Sequence, residues 1–270
     1  SQQRRLHGTT NSPSVRRTVS QAFDPCCLSI STRIGWKRSP ATVIPRPSGA
    51  SIAASGVPCT RTRYLRSLAR QFLQAHPGAR VVNLGCGLSD YGQWLDNGRM
   101  RMTDADLPEV MALRRQLLPA PCERHEMRDV DLSRPGWWDA LALPQRPTGQ
   151  PVFLFCEGVL MYLGPEQVQQ VLRTFGERAP AGSLLAFDAL CWLAQGRAVL
   201  HASVGRTAAQ LTWGPRRRQE LVAPHQRLRL VGHQPVMSGY GWPVAATKQL
   251  FEAFWGLPFY ALYILCADDR

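Results

Sequence analysis

Arg80-Val81-Val82-Asn83-Leu84-Gly85-Cys86-Gly87-Leu88-Ser89-Asp90 is a short apolar run that breaks into two closely spaced glycines. Five residues with paired β-branched side chains read as a buried strand. A Gly-x-Gly turn at its end lets backbone pass close to a ligand while neighbouring N–H groups point at it. Upstream, Leu65, Leu68, Ala69, Phe72 and Leu73 recur at helical spacing and stop at His76-Pro77-Gly78, so a helix feeds this strand. Downstream the alternation continues. Strands are predicted at about 100–105, near 123–127, over 152–156, 184–188, 228–233 and 260–266. Helices are predicted at 108–118, 135–143, 165–179, through about 211 and over 244–256. In the 165–179 helix Val168, Val171, Leu172 and Phe175 fall at i, i+3, i+4 and i+7. Alternating strands and helices imply an α/β fold, a Rossmann-like doubly wound, mostly parallel sheet of about seven strands. No internal repeat is visible.

The composition supports a large core: 270 residues, 44% of them hydrophobic, are too apolar for wholesale disorder. No uninterrupted apolar run approaches the roughly 20 residues of a spanning helix, so no membrane partner is expected. The net charge of +13 invites a nucleic-acid reading. Its placement argues otherwise, because residues 1–80 carry 13 basic side chains against the single acid Asp24 and the remainder is nearly neutral. All but Lys37 and Lys248 of the 32 basic residues are Arg, a usage that resembles coding bias more than a phosphate-binding surface. The eight cysteines, 26, 27, 59, 86, 122, 156, 191 and 266, form no CxxC pair, so buried free thiols, a reducing cytoplasmic compartment and no metal site are expected. Residues 1–58 are rich in Arg, Ser, Pro and Thr with no sustained apolar period, and read as a weakly structured arm or lid, with a targeting segment as the alternative. Residues 59–270 read as the folded domain.

In a doubly wound sheet, ligands bind outside the carboxyl ends of the strands. The GxGxxG dinucleotide fingerprint needs a glycine where the chain has Asp90, which compromises a pyrophosphate site. S-adenosylmethionine, a cofactor without phosphates, needs less. Its amino-acid end can pass the glycine turn, and an acid after the second strand can hold its ribose hydroxyls. Thr103-Asp104-Ala105-Asp106-Leu107-Pro108 lies about 20 residues on and offers two acids, and Asp129 after the third strand can accept from an adenine amino group. Each piece has a plain structural alternative, since glycine turns serve tight packing and strand-end acids cap helices. The joint order is harder to obtain by chance.

Three blocks carry a family resemblance: Val81-Val82-Asn83-Leu84-Gly85-Cys86-Gly87-Leu88, Asp104-Ala105-Asp106-Leu107-Pro108-Glu109-Val110 and Cys156-Glu157-Gly158-Val159-Leu160-Met161-Tyr162-Leu163. They resemble the signature blocks of the leucine carboxyl methyltransferase superfamily, and more narrowly its bacterial branch of tetracenomycin-type polyketide O-methyltransferases, over about residues 60–235. Supporting echoes include Ala186-Phe187-Asp188-Ala189 and Leu211-Thr212-Trp213-Gly214. The resemblance implies a class I methyltransferase fold and S-adenosylmethionine as cofactor. It also implies roles. Arg61, with Arg63 as fallback, would pair with the cofactor carboxylate; Gly85 and Gly87 would let the cofactor lie against backbone. Asp106, with Asp104 second, would hold the ribose, Asp129 and Val130 the adenine side, and Glu157 would face the methionyl end.

One departure stands out: relatives commonly carry Asp-Ser-Arg or Asp-Thr-Arg where this chain has Ser89-Asp90-Tyr91. An ionised carboxylate acceptor requires no general base, whereas a hydroxyl would be helped by one, and His201, His225 and His233 are the candidates after the fifth strand. No catalytic residue is assigned. Trp192, Trp213, Met237, Tyr240, Trp242, Phe251, Phe254 and Trp255 could wall an apolar acceptor or simply pack the core. The expected function is O-methyl transfer to a carboxylate or hydroxyl of a small, polyketide-like molecule, without nucleic acid. The alternatives are methylation of a protein C-terminal leucine, and a basic nucleic-acid binder with an inactive methyltransferase core.

Overall fold

The computed structural model describes residues 49–118, 122–196, 210–236 and 252–269, all within a unit that spans Arg46–Arg270. Its centre is the run Val152-Phe153-Leu154-Phe155-Cys156, each residue at most 1% exposed. A strand apolar at every position can only sit where both faces are covered, which in a parallel sheet means the middle. Seven strands form one sheet in the order β3-β2-β1-β4-β5-β7-β6. They are β1 Arg80–Leu84, β2 Arg101–Asp106, β3 His125–Asp129, β4 Val152–Cys156, β5 Leu184–Leu190, β6 Leu228–Pro235 and β7 Tyr260–Ala267. The first five pair in parallel, and β7 runs antiparallel to both β5 and β6.

Helices cover the two faces. On one, α1 (Gly49–Ala75) lays Leu65, Ala69, Phe72 and Leu73 against Val81, Met102, Phe153 and Phe155. The short α2 (Gly92–Leu95) adds Leu95 to the same cluster. On the other face, α4 (Trp137–Ala140) and α5 (Pro165–Arg178) bury Trp137, Trp138, Val168, Val171, Leu172 and Phe175 against Val82, Leu84, Leu154 and Cys156. Between β2 and β3 runs α3 (Pro108–Leu117). Proline opens both α3 and α5 at the first helical position, where its missing N–H costs no intrahelical bond.

The mostly parallel seven-stranded sheet matches expectation; several details do not. The first helix begins at Gly49, ahead of the 58/59 boundary expected between arm and domain. The helix expected over 135–143 is confined to Trp137–Ala140, because Ala142 takes a left-handed conformation (φ 48°) that ends the coil. Strand β3 lies two residues further on than expected. Its sequence His-Glu-Met-Arg-Asp has no apolar period, and its register is set by pairing Asp106 with Asp129. The helix expected through about 211 is a 3₁₀ turn at Trp192–Ala194 and irregular backbone over 210–215, with 197–209 outside the described residues. Most of the 244–256 helix also lies outside them, with 252–255 helical.

The strand order reverses between β1 and β4, the point at which doubly wound sheets open a crevice beyond the carboxyl ends. The loops after these two strands meet there: a Cβ placed on Gly85 would overlap the Val159 Cγ2 methyl.

Candidate functional site

Arg61 reaches the crevice from α1 and gathers groups from three strands. Its Nε donates to Glu157 Oε1 at 2.6 Å and its Nη1 to Asp188 Oδ2 at 2.5 Å, with a further hydrogen bond from Nη1 to the Tyr260 hydroxyl. Glu157 follows β4, Asp188 lies in β5 and Tyr260 opens β7. Thr62 Oγ1 also donates to Glu157 Oε1 at 2.9 Å, and the Tyr91 hydroxyl donates to Oε2 at 2.6 Å. The Asp188 carboxylate accepts from Tyr260 at 2.5 Å through Oδ2 and from the Gly158 amide at 2.6 Å through Oδ1.

The electrostatics follow from burial and opposed charge. Burial alone would lower the Arg61 pKa, but Asp188 and Glu157 outweigh it and hold the guanidinium firmly charged. Burial, then the Glu157 carboxylate, push the Tyr91 hydroxyl well above its ordinary value; burial and Asp188 do the same to Tyr260. Both tyrosines are therefore donors at neutral pH, not bases. One cation faces two carboxylates, so this cluster favours a ligand that brings positive charge.

Along the carboxyl edge the row continues. After β1, Gly85 (φ +68°) and Gly87 (φ +51°) take left-handed conformations, with open space where a Gly87 side chain would project. The Gly87 amide donates to Asp106 Oδ2 and the Leu107 amide to Asp106 Oδ1, each at 2.8 Å. Asp106 is partly exposed at the end of β2, and each of its oxygens keeps a lone pair for a further donor. Asp129 is its register partner on β3 and pairs with Arg115 at 2.6 Å; the buried Val130 donates its amide to the Asp106 carbonyl at 2.8 Å. Arg61, Glu157, Gly85, Gly87, Asp106, Asp129 and Val130 thus lie along one edge, across the ends of successive strands.

A profile of the leucine carboxyl methyltransferase family matches residues 32–176, just over half of the sequence. The chain belongs to this family. Among relatives, an S-adenosyl-L-methionine-dependent methyltransferase, dpfgK, of Gibberella zeae is 38% identical over 122 residues, 42% of this chain and 39% of that protein. The tetracenomycin polyketide synthesis O-methyltransferase of Streptomyces glaucescens is 28% identical over 155 residues, 57% of this chain and 55% of that one. The chain thus spans about half or less of the length of these relatives. A crystal structure of a Thermobifida fusca protein assigned as a methyltransferase superposes with a TM-score of 0.55 at 16% identity, covering 82% of this chain and 83% of that one. The fold is that of the class I methyltransferases.

Within this family's frame, one expected residue is displaced from its role. Asp104, the second choice for the ribose, is fully buried. Its Oδ2 accepts from Arg114 Nη2 at 2.5 Å and lies 2.7 Å from His125 Nε2, while Oδ1 accepts from Asn83 Nδ2 at 3.3 Å. The alternation of β2 explains this: Asp104 and Asp106 share a face, but Asp104 lies two residues inside the edge and beneath the loop. There it serves as scaffold, because Arg114 Nη1 donates onward to the Gly87 carbonyl at 2.9 Å and Asn83 Nδ2 to Ser89 Oγ at 3.2 Å. Arg63, the fallback for Arg61, is exposed.

Tyr91, Thr62, Asp188 and Tyr260 were not foreseen as site residues. Tyr91, in the Ser89-Asp90-Tyr91 stretch that departs from the expected pattern, meets Glu157 through its hydroxyl. Asp188 lies in the Ala186-Phe187-Asp188-Ala189 echo of the family, the one signal in the sequence that points to it. Of the candidate bases, His201 lies outside the described residues. His225 packs against Gly176 near the start of β6, at the opposite edge of the sheet. His233 on the edge strand β6 faces Glu252 Oε1 at 3.3 Å and stacks on Tyr263. Of the aromatic wall, Trp213 is buried core against Phe187, while Trp192, Trp255 and the exposed Phe254 group together. Met237, Tyr240, Trp242 and Phe251 lie outside the described residues. A separate cavity of about 410 Å³ opens over β2 and β3, lined by residues such as Asp90, Met102, Arg114 and His125 and by none of the edge residues named above.

Proposed function

We propose that the chain binds S-adenosylmethionine and transfers its methyl group to a carboxylate or hydroxyl of a small, polyketide-like molecule. The observation that carries this is the unbroken row at the carboxyl edge. A largely buried guanidinium meets a carboxylate just after β4 and another within β5, a left-handed glycine turn follows β1, and the partly exposed Asp106 and exposed Asp129 end β2 and β3. The row fits the cofactor group by group. Among the described residues Arg61 Nη2 makes no hydrogen bond, leaving one arm of the guanidinium for a carboxylate. The excess negative charge of Glu157 and Asp188 suits an ammonium and a sulfonium. The Gly87 turn admits a chain against backbone, Asp106 accepts from ribose hydroxyls, and Asp129 with Val130 borders the adenine.

Bound S-adenosylmethionine supplies an electrophilic methyl on a sulfonium, open to in-line displacement. What the protein adds is alignment and exclusion of water. Arg61 and Glu157 would hold one end of the cofactor, Asp106 the middle and Asp129 the other. A carboxylate acceptor arrives ionised at neutral pH and asks nothing further in proton transfer. Tyr91 and Tyr260 hold their protons and orient Glu157, Asp188 and Arg61. The five free cysteines among the described residues, 86, 122, 156, 191 and 266, suit a reducing, cytoplasmic setting.

Calorimetric titration with S-adenosylmethionine tests the reading: saturable binding is expected, and its absence sinks the enzyme. Asp106→Ala removes both ribose acceptors and is expected to weaken binding about tenfold. An unchanged affinity overturns the ribose assignment. The family match supports a second acceptor, a protein C-terminal leucine carboxylate. Methylation of a leucine-ended peptide in preference to aromatic polyketide acids would favour it.

A further inference from the structure

We propose that Asp188 is a positioning residue that locks the two halves of the methionyl-end site together. The inference rests on the cofactor reading above. Asp188 is 1% exposed and cannot itself meet a ligand, yet each of its oxygens holds a different part of the site. Oδ2 receives Arg61 Nη1 and the Tyr260 hydroxyl, which fixes the plane of the guanidinium. Oδ1 receives the Gly158 amide at 2.6 Å, which fixes the left-handed turn (φ +70°) directly after Glu157. Arg61 and Glu157 also contact each other, but through one bond at Nε. A guanidinium held at Nε alone can swing about that bond; held also at Nη1 it cannot, and the remaining Nη2 is aimed.

The arrangement depends on the reversed strand. Asp188 belongs to β5, and the antiparallel pairing of Leu190 with Tyr260 delivers the phenol from β7 to the same carboxylate oxygen. With burial and Asp188 keeping Tyr260 protonated, the hydroxyl accepts from Arg61 and donates to Asp188, closing a three-membered ring of hydrogen bonds. Asp188 also supplies the second negative charge, so Arg61, Glu157 and Asp188 together carry a net charge of −1 that favours the ammonium of an amino-acid end.

Two ligands separate this role from a merely structural one. S-adenosylhomocysteine carries the amino-acid end; 5′-methylthioadenosine has the same adenine, ribose and sulfur without it. In calorimetry on the full chain, Asp188→Asn keeps the shape and an acceptor for Gly158 but removes the charge. It is expected to weaken S-adenosylhomocysteine about tenfold while methylthioadenosine stays within about twofold. Tyr260→Phe, which deletes one hydroxyl, is expected to weaken S-adenosylhomocysteine about threefold with the same selectivity. Should Asp188→Asn fail to fold, the selectivity of Tyr260→Phe decides. Equal loss for both ligands, or no loss for either, overturns the proposal while leaving the cofactor reading intact. Wild-type protein that binds neither ligand overturns the reading and this inference together.

Discussion

Gly85 and Asp104 illustrate how differently single residues can be read. A glycine directly after a buried strand announces a turn, and Gly85 does adopt a conformation that L side chains rarely take. Its second constraint, the Val159 methyl arriving from the loop after β4, has no local signature. Gly85→Ala is therefore expected to lose about 1–2 kcal/mol from the left-handed backbone alone, with the overlap adding to it. In a double-mutant cycle, Val159→Ala should recover the overlap part, giving a favourable coupling of about 0.5–3 kcal/mol by urea denaturation; simple additivity would refute the contact. Asp104 and Asp106 look equivalent in sequence, two acids two residues apart at one strand end. Depth separates them: the inner carboxylate holds Arg114 and the loop, and the outer one faces the crevice. The choice between them was legible only as a ranking, because burial is set by what packs above.

At the scale of elements, helix α1 links stability to the site. Leu65, one turn after Arg61, is 1% exposed and packs with Ala69, Phe72 and Leu73 against the sheet. Leu65→Ala is expected to cost about 2–5 kcal/mol, read as a lower urea midpoint. Because the same turn aims Arg61 and Thr62 at Glu157, S-adenosylhomocysteine affinity should fall as well. Retained affinity in the destabilised protein would show that the ion pair alone sets the geometry. The periodic helix α5 and the uniformly apolar strand β4 were legible. The polar β3 was displaced by two residues and α4 overestimated, since pairing register and a left-handed residue decided those boundaries.

Over the whole molecule, buried acidic protons set the response to alkali. Burial raises the Cys86 thiol from its ordinary 9.0 to about 12, with Arg114 offsetting part of the shift. Burial with Glu157 or Asp188 raises Tyr91 and Tyr260 above their ordinary 10.0. Groups whose folded pKa is raised stabilise fully below the unfolded value, and that contribution is lost as pH climbs toward the folded one. Urea midpoints should therefore hold up to about pH 9 and then fall, more steeply past 10 as the tyrosines join. A midpoint that stays flat to about pH 11, roughly two units above a free thiol's pKa, would contradict this. The +13 charge, which first suggested nucleic acid, lies mostly in residues 1–80, and among the described residues no helix is long and apolar enough to cross a membrane. By itself the sequence determined the alternating α/β fold and the family, and it put Gly85, Asp106 and Glu157 at strand ends, because periodicity, glycine turns and strand-end acids are local. Only the tertiary structure decided that Asp188, Tyr260 and Tyr91 converge on Arg61 and Glu157. Those side chains lie 66 to 199 residues from their partners where the bonds are longest in sequence, and only strand order and the reversed β7 bring them together.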